Sequence, residues 1–300
     1  MQYLKSDIEL GDVVPNIASM LERNVNRFRD KIIYAEKQKG QYIGITWKNF
    51  LEDVRHILTN LVKYGFEKGD KIMVYSPNRI EMLELEMAVM AGGGISVPIF
   101  AYYPKETVDR LIKHSHSKFL AVAGEIQLSR IAENIPIEKI FVFDGVNDPV
   151  HKNIILFSEL RAIPDNDLIP LHIDASPDDI CLNMYTSGTM GIPKCVQLTH
   201  ANILSQQAGL EKIWNLDEHD RFLSYLPWHH SFGGIFEKFS ALYNGAAIYL
   251  ESGYGKDPKI IMENWKTVQP NLFFSVPRVY QSLVELTRQD EAAEGLFFHS

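Results

Sequence analysis

The chain has 300 residues, enough at the usual ~150 per domain for two domains and a large buried core, which excludes a peptide hormone or a disulfide-stapled miniprotein. Apolar residues make up 46% and charged residues 23%, with 19 Gly and 14 Pro, so neither a disordered nor a fibrous chain fits. The formal charge of −8 argues against binding nucleic acid or anionic lipid by bulk attraction, so an anionic ligand needs a local site.

The N-terminus, MQYLKSDIELGD, carries charges where a signal peptide needs an apolar core. The first clear helix runs from Trp47, with Phe50, Leu51, Val54, Ile57, Leu58, Leu61 and Val62 recurring at three- and four-residue spacing. Thr46 is its expected cap and Gly65 its expected stop. β-rich runs follow at 71–75, 95–100, 119–123 and 139–143, separated by amphipathic stretches such as PKETVDRLIKHS. The uncharged stretch 87–104 holds three consecutive glycines and two prolines, and reads as a buried helix end, a turn and a buried strand. Its triple glycine, 92–94, reads as close helix–strand packing, since GxGxxG spacing is absent.

Strand and helix alternate without hairpin signals, which predicts β-α-β units. Residues 144–178 break the rhythm and read as a loop-rich junction. From Asp179 it resumes with ICLNMY, a helix from Thr199, FLSYL, a helix over Phe232 to Leu242, AAIYLE, a helix from Pro258, NLFFSV and an amphipathic run from Arg278. The expectation is an α/β chain with two successive, mostly parallel sheets flanked by helices. Residues 1–178 would form the first subdomain, its N-terminal helices free to pack on the second sheet, and 179–300 an incomplete second one. The segment EGLFFHS stops within an apolar helical pattern and reads as cut. Cys181 and Cys195 form neither a disulfide framework nor a zinc site, which suits a reducing compartment, taken as the cytoplasm.

Residues 185–194 read Tyr-Thr-Ser-Gly-Thr-Met-Gly-Ile-Pro-Lys, between a buried strand and the helix expected at Thr199. Two glycines, three hydroxyls and Lys194 at the carboxyl end of a strand suit a phosphate guest. The spacing excludes an ordinary P-loop, and a plain strand-to-helix turn is the alternative. A second block, Leu226-Pro-Trp-His-His-Ser-Phe-Gly-Gly234, follows another strand.

Together these segments resemble the AMP-forming acyl-CoA synthetases of the adenylate-forming superfamily. Met190 and Cys195 depart from the pattern, standing where that family usually has Thr and Gly. Weaker similarities are Ile45-Thr46-Trp47, Asn78-Arg79 and the corner Ser275-Val276-Pro277-Arg278-Val279-Tyr280, the last resembling long-chain fatty acyl-CoA synthetases. The resemblance implies ATP-dependent conversion of a carboxylic acid to an acyl adenylate and then an acyl-CoA, with ATP, magnesium and coenzyme A taking part. It implies that Thr186, Ser187, Gly188, Thr189, Gly191 and Lys194 hold phosphates and that Thr186 reaches the metal. Lys194 and His230 would act in catalysis, and Trp228, Phe232, Gly233 and Pro277 would border the acyl pocket. The family's adenine, ribose and catalytic-lysine segments normally follow the last residue here, so the 300 residues alone are expected to be inactive. Fatty acid, ATP and coenzyme A are the implied partners, with no nucleic acid; the resemblance leaves room for a homodimer and for peripheral attachment to a membrane. Adenylation of an aryl or other acid, transfer to a carrier protein, and a non-catalytic binding protein with half the fold remain as alternatives.

Overall fold

The computed structural model describes residues 9–146, 151–186 and 194–289. Helix α1 (Ile17–Phe28) is capped by Asn16, whose Oδ1 accepts from Ser19 N at 2.8 Å while its Nδ2 donates to the Ile173 and Ala175 carbonyls at 2.9 Å each. Strands β1 (Ile32–Gln38) and β2 (Gln41–Thr46) form an antiparallel hairpin through Lys39 and Gly40. Their φ values of 49° and 85° suit a two-residue turn of the primed type that matches strand twist. This hairpin departs from the expected hairpin-free alternation; Lys-Gly is a weaker signal than Asn-Gly. Helix α2 (Trp47–Lys63) is capped by the Thr46 hydroxyl as expected, and Gly65, at φ 92°, stands just beyond its end.

Strand β3 (Lys71–Tyr75), helix α3 (Ile80–Ala91), β4 (Ile95–Ile99), α4 (Lys105–Ser115), β5 (Phe119–Val122), α5 (Glu125–Leu128) and β6 (Lys139–Val142) follow the expected alternation. Strand β7 (Ile154–Leu156) and helix α6 (Phe157–Arg161) lie within the expected junction. A Cβ on Gly92 would stand 2.4 Å from Leu58, and one on Gly94 2.4 Å from Phe66, which accounts for two of the three glycines by close packing. Strand β8 (Ile180–Thr186) is followed by β9 (Lys194–Thr199), α7 (His200–Trp214), β10 (Arg221–Ser224), a π-helical segment (Phe232–Glu237), α8 (Lys238–Asn244), β11 (Ala247–Leu250), α9 (Pro258–Val268) and α10 (Pro277–Gln289). Strand β9 was not expected. The run Lys-Cys-Val-Gln-Leu-Thr is a mostly exposed edge strand and lacks an alternating apolar pattern. The expected strand over 271–276 is reduced to one bridge between Leu272 and Phe222, because α10 begins five residues later.

Two sheets result, a seven-stranded one in the order β7-β6-β5-β3-β4-β8-β9 and a four-stranded one in the order β10-β11-β1-β2. All neighbours run parallel except β8 with β9 and β1 with β2. The α/β class with mostly parallel sheets holds, but the sheets interleave along the chain: β1 and β2 join the second, β8 and β9 the first. One continuous core takes residues from α1, α2, α3, α7 and α8 and from both sheets, so these helices are shared between them. On β3, Ile72 and Val74 face that core, with α3, while Met73 and Tyr75 face a second core, with α4. The helices that follow β3 and β4 thus cover opposite faces, and the crevice beyond these two adjacent strands is a topological switch point.

Helix α3 is buried on every side from Met82 to Ala91, which is why it lacks an amphipathic stripe. Its two buried acids are paired: Glu86 with Lys238 at 2.6 Å, both at most 1% exposed, and Glu84 with Arg161. The first pair joins α3 to α8, and Ser96 Oγ also donates to Glu86 at 3.1 Å.

Candidate active site

A cavity of about 200 Å³ opens at the switch point. Ser76, Pro77 and Asn78 line it from beyond β3, and Phe100, Ala101 and Tyr102 from beyond β4. The second sheet contributes Tyr225, Pro227 and His229 from beyond β10, and Tyr254 and Lys256 from beyond β11. The carboxyl ends of four parallel strands, two from each sheet, therefore meet around one space, where open α/β sheets place ligands.

Asn78 holds the two halves of this space together. It is 4% exposed; its Nδ2 donates to Leu226 O at 2.8 Å and its Oδ1 accepts from Trp228 N at 2.9 Å. A side chain on the first sheet thus replaces a strand partner for the backbone on both sides of Pro227. The turn continues with His230 N donating to Pro227 O at 3.1 Å and Gly234 N donating to His230 O at 2.7 Å. Close packing here needs glycine, because a Cβ on Gly233 would lie 2.6 Å from both the Leu226 and Pro227 oxygens, and one on Gly234 2.0 Å from Trp228 O.

The two histidines of this turn differ. His229 lines the cavity, its ring 5.2 Å from that of Phe100, and burial, with His230 beside it, pushes its pKa down to about 4, so it is neutral at pH 7. His230 is exposed; its Nδ1 accepts from Phe232 N at 3.3 Å, which selects the tautomer with the proton on Nε2. The expected catalytic residue, His230, is therefore not the one lining the cavity.

The residues expected around the acyl pocket are dispersed. Trp228 is fully buried, 6.4 Å from the Tyr34 ring and 5.5 Å from Lys238 Nζ, and its Nε1 donates to Ser224 Oγ at 3.3 Å. Gly233 is closed off by the backbone of residues 226 and 227. Phe232 packs on Phe236 and Phe274 at ring distances of 5.6 and 6.0 Å, and Pro277 is exposed at the start of α10. None of these four lines the cavity; Trp228 and Gly233 support the turn because one must fill core and the other must leave room.

Thr186 and Lys194 face each other across the β8–β9 pair, both exposed. Strand β8 runs parallel to β4, so this hairpin base lies on the same carboxyl edge as the cavity. Next to it, the Tyr185 hydroxyl and His114 Nδ1 are 2.8 Å apart. Ser187, Gly188, Thr189, Met190 and Gly191 lie outside the described residues. Among the described residues no group of three His, Cys, Asp or Glu side chains could hold a metal ion. No described helix is long and apolar enough to cross a membrane. No local sequence signal marks Phe100, Tyr102, Tyr254 and Lys256; they sit in irregular segments after strands, and only the strand order brings them together.

The family model described as AMP-binding enzyme matches residues 21–296. The chain is 27% identical to the human long-chain-fatty-acid–CoA ligase ACSBG2, over 92% of this chain and 43% of that protein. It is 26% identical to the peroxisomal long chain acyl-CoA synthetase 7 of Arabidopsis thaliana, over 92% of this chain and 40% of that one. The chain thus spans about two-fifths of the length of these two relatives. Among solved structures, the anthranilate CoA ligase AuaEII in complex with anthranoyl-AMP is similar, with a TM-score of 0.78 at 17% identity, over 95% of this chain and 55% of that one.

Proposed function

The chain belongs to the AMP-binding enzyme family, and from that premise we propose that the protein activates a carboxylic acid with ATP and passes the acyl group to a thiol, coenzyme A. In the first step a carboxylate oxygen bonds to the α-phosphorus, the α–β phosphoanhydride bond breaks, and pyrophosphate leaves. In the second the thiol sulfur bonds to the acyl carbon, the thiol proton is lost, and AMP leaves. The observation that carries the reading is the cavity formed where the carboxyl ends of both sheets meet, with the histidine turn in its wall and the Thr186–Lys194 hairpin base at the carboxyl end of β8, the strand beside β4.

Each part has a physical task. Two anions react, so the protein's contribution is positioning and charge stabilisation. Lys194 supplies a full positive charge at the loop exit, where it would hold β- and γ-phosphate oxygens, with Ser187, Gly188, Thr189 and Gly191 as the loop's donors. His230, with its proton on Nε2, donates to the developing charge at the α-phosphate or carboxylate. A magnesium ion would supply charge neutralisation for the nucleotide phosphates. The described residues offer it the Thr186 hydroxyl and no carboxylate cage, a donor set that fits an ion arriving on the nucleotide.

A long-chain fatty acid is the first reading for the acid, supported by the names of the two relatives. A compact aromatic acid is the second, favoured by the cavity itself: about 200 Å³, below the ~300–1,000 Å³ of typical ligand pockets, and lined by Phe100, Tyr102, Tyr225 and Tyr254. Trapping the acyl adenylate with hydroxylamine across fatty and aryl acids tests both. Hydroxamate from long-chain acids supports the first, hydroxamate from aryl acids alone the second, and none from either class removes the proposal.

A further inference from the structure

A second cavity, of about 370 Å³, shares Lys256 with the first and lies on the other side of it, between the loop after β11 and helices α9 and α10. Its lining holds two cations, Lys256 and Arg278, and no acidic residue. Neither cation is paired with a carboxylate among the described residues; Lys256 Nζ stands 5.6 Å over the Tyr102 ring, and the Arg278 backbone carbonyl accepts from Ser282 Oγ at 3.1 Å. The one acid beside them in sequence, Asp257, is engaged at the start of α9, where its Oδ1 accepts from Lys259 N at 2.8 Å.

The chain carries 38 acids against 30 bases, and several of its cations sit on carboxylates: Arg79 on Glu81 and Asp144, Lys118 on Asp70, Lys238 on Glu86. Two cations with no carboxylate partner among the described residues, around one acid-free lining, form a local positive pole in an acidic protein. A guanidinium fork and a mobile ammonium are the pair of groups that suits a phosphate dianion. The hairpin at Thr186 and Lys194 belongs to the first sheet, whereas this pole belongs to the second.

We propose that the Lys256–Arg278 cavity is a second anion site, which takes a phosphate group of a ligand whose remainder reaches towards the His229 cavity across Lys256. The identity of that ligand rests on the function proposed above, which brings two phosphate-bearing substrates, ATP and coenzyme A, to this edge. The shared chemistry is the phosphate; the two sources are separated by experiment.

Equilibrium binding of ATP, coenzyme A, 3′-dephospho-coenzyme A and pantetheine is measured on the protein's full natural chain, for wild type, Lys256→Gln, Arg278→Gln, the double variant and Arg278→Lys. The double variant is expected to bind at least one phosphate-bearing ligand about tenfold more weakly, as for loss of charge-assisted hydrogen bonds at a half-open site, with pantetheine unaffected and Arg278→Lys intermediate. Wild-type binding should also weaken as salt is raised. Loss confined to coenzyme A, and absent for its dephospho form, assigns the 3′-phosphate; loss for ATP assigns the nucleotide. Unchanged affinity for every phosphate-bearing ligand in a double variant that melts like wild type overturns the proposal, as does an equal loss for pantetheine, which carries no phosphate. Phosphate-specific loss in a protein that traps no acyl hydroxamate would retain this site and remove the activation reading instead.

Discussion

Replacing Asn78 by Ala tests how the two sheets hold the histidine turn. The substitution deletes two buried hydrogen bonds, of 2.8 and 2.9 Å, and leaves Leu226 O and Trp228 N without a partner 148 and 150 residues along the chain. An unsatisfied buried backbone group costs about 1–3 kcal/mol, so the pair is worth roughly 2–5 kcal/mol, with the lower end applying if water enters the gap. For a chain of this size that is a fall in melting temperature of about 4–15 °C. Because the turn carries His229 and His230, activity should fall along with stability. Asn78→Asp separates the hydrogen bonds from the packing. An ionised carboxylate accepts from Trp228 N but repels Leu226 O, whereas the protonated acid makes both bonds. Its deficit relative to wild type should therefore shrink as pH falls through the carboxyl range. Thermal unfolding of the three proteins over a pH series decides: Asn78→Ala within about 0.5 kcal/mol of wild type would refute the clamp.

Burial of His200, 1% exposed and accepting from Ile17 N at 3.3 Å, pushes its pKa from 6.5 down to about 4. The unfolded chain thus binds the proton first, and stability present above pH 6.5 should decline as pH falls towards 4, by roughly 3 kcal/mol from this group; His229 acts in the same window, and His200→Asn should flatten the urea-midpoint profile there without abolishing its slope. Glu237 is fully buried and its pKa is raised by burial, so its contribution has the opposite sign: stability is lost as pH rises above the ordinary carboxyl range, and Glu237→Gln should melt higher than wild type near pH 8 but not near pH 4. Gly233→Ala drives a Cβ to 2.6 Å from two carbonyl oxygens and should cost about 1–3 kcal/mol in chemical denaturation by moving the turn; an undisturbed melt would show that the turn has slack.

The fold was legible wherever one strand face or one helix stripe is apolar. Helix α2 illustrates this: its periodic apolar residues, its Thr46 cap and Gly65 are all local signals. Helix α3 gave no periodicity because it is buried all round, and was recovered only through the uncharged stretch 87–104 that closes it. The hairpin base was half legible, since Thr186 and Lys194 flank a recognisable sequence motif but β9 is too exposed to signal a strand. Trp228 and His229 show how a tight turn sends neighbours in sequence to opposite sides, one into the core and the next into the cavity, a difference that no local pattern encodes. Asn78 looked like an ordinary turn residue, for its two partners lie on the other sheet and nothing in the surrounding sequence names them. Lys256 and Arg278 were unreadable as a pair for the same reason.

The central claim, acid activation by ATP at the shared carboxyl edge, is tested most directly by acid-dependent ATP–pyrophosphate exchange in the full natural chain, wild type beside Lys194→Ala. Exchange should require a carboxylic acid and should fall by about 10²-fold or more in the variant, the scale for removing one preorganised charge donor from a transition state. A wild type that exchanges no pyrophosphate with any fatty or aryl acid, or a Lys194→Ala protein that exchanges within about twofold of wild type, would contradict it.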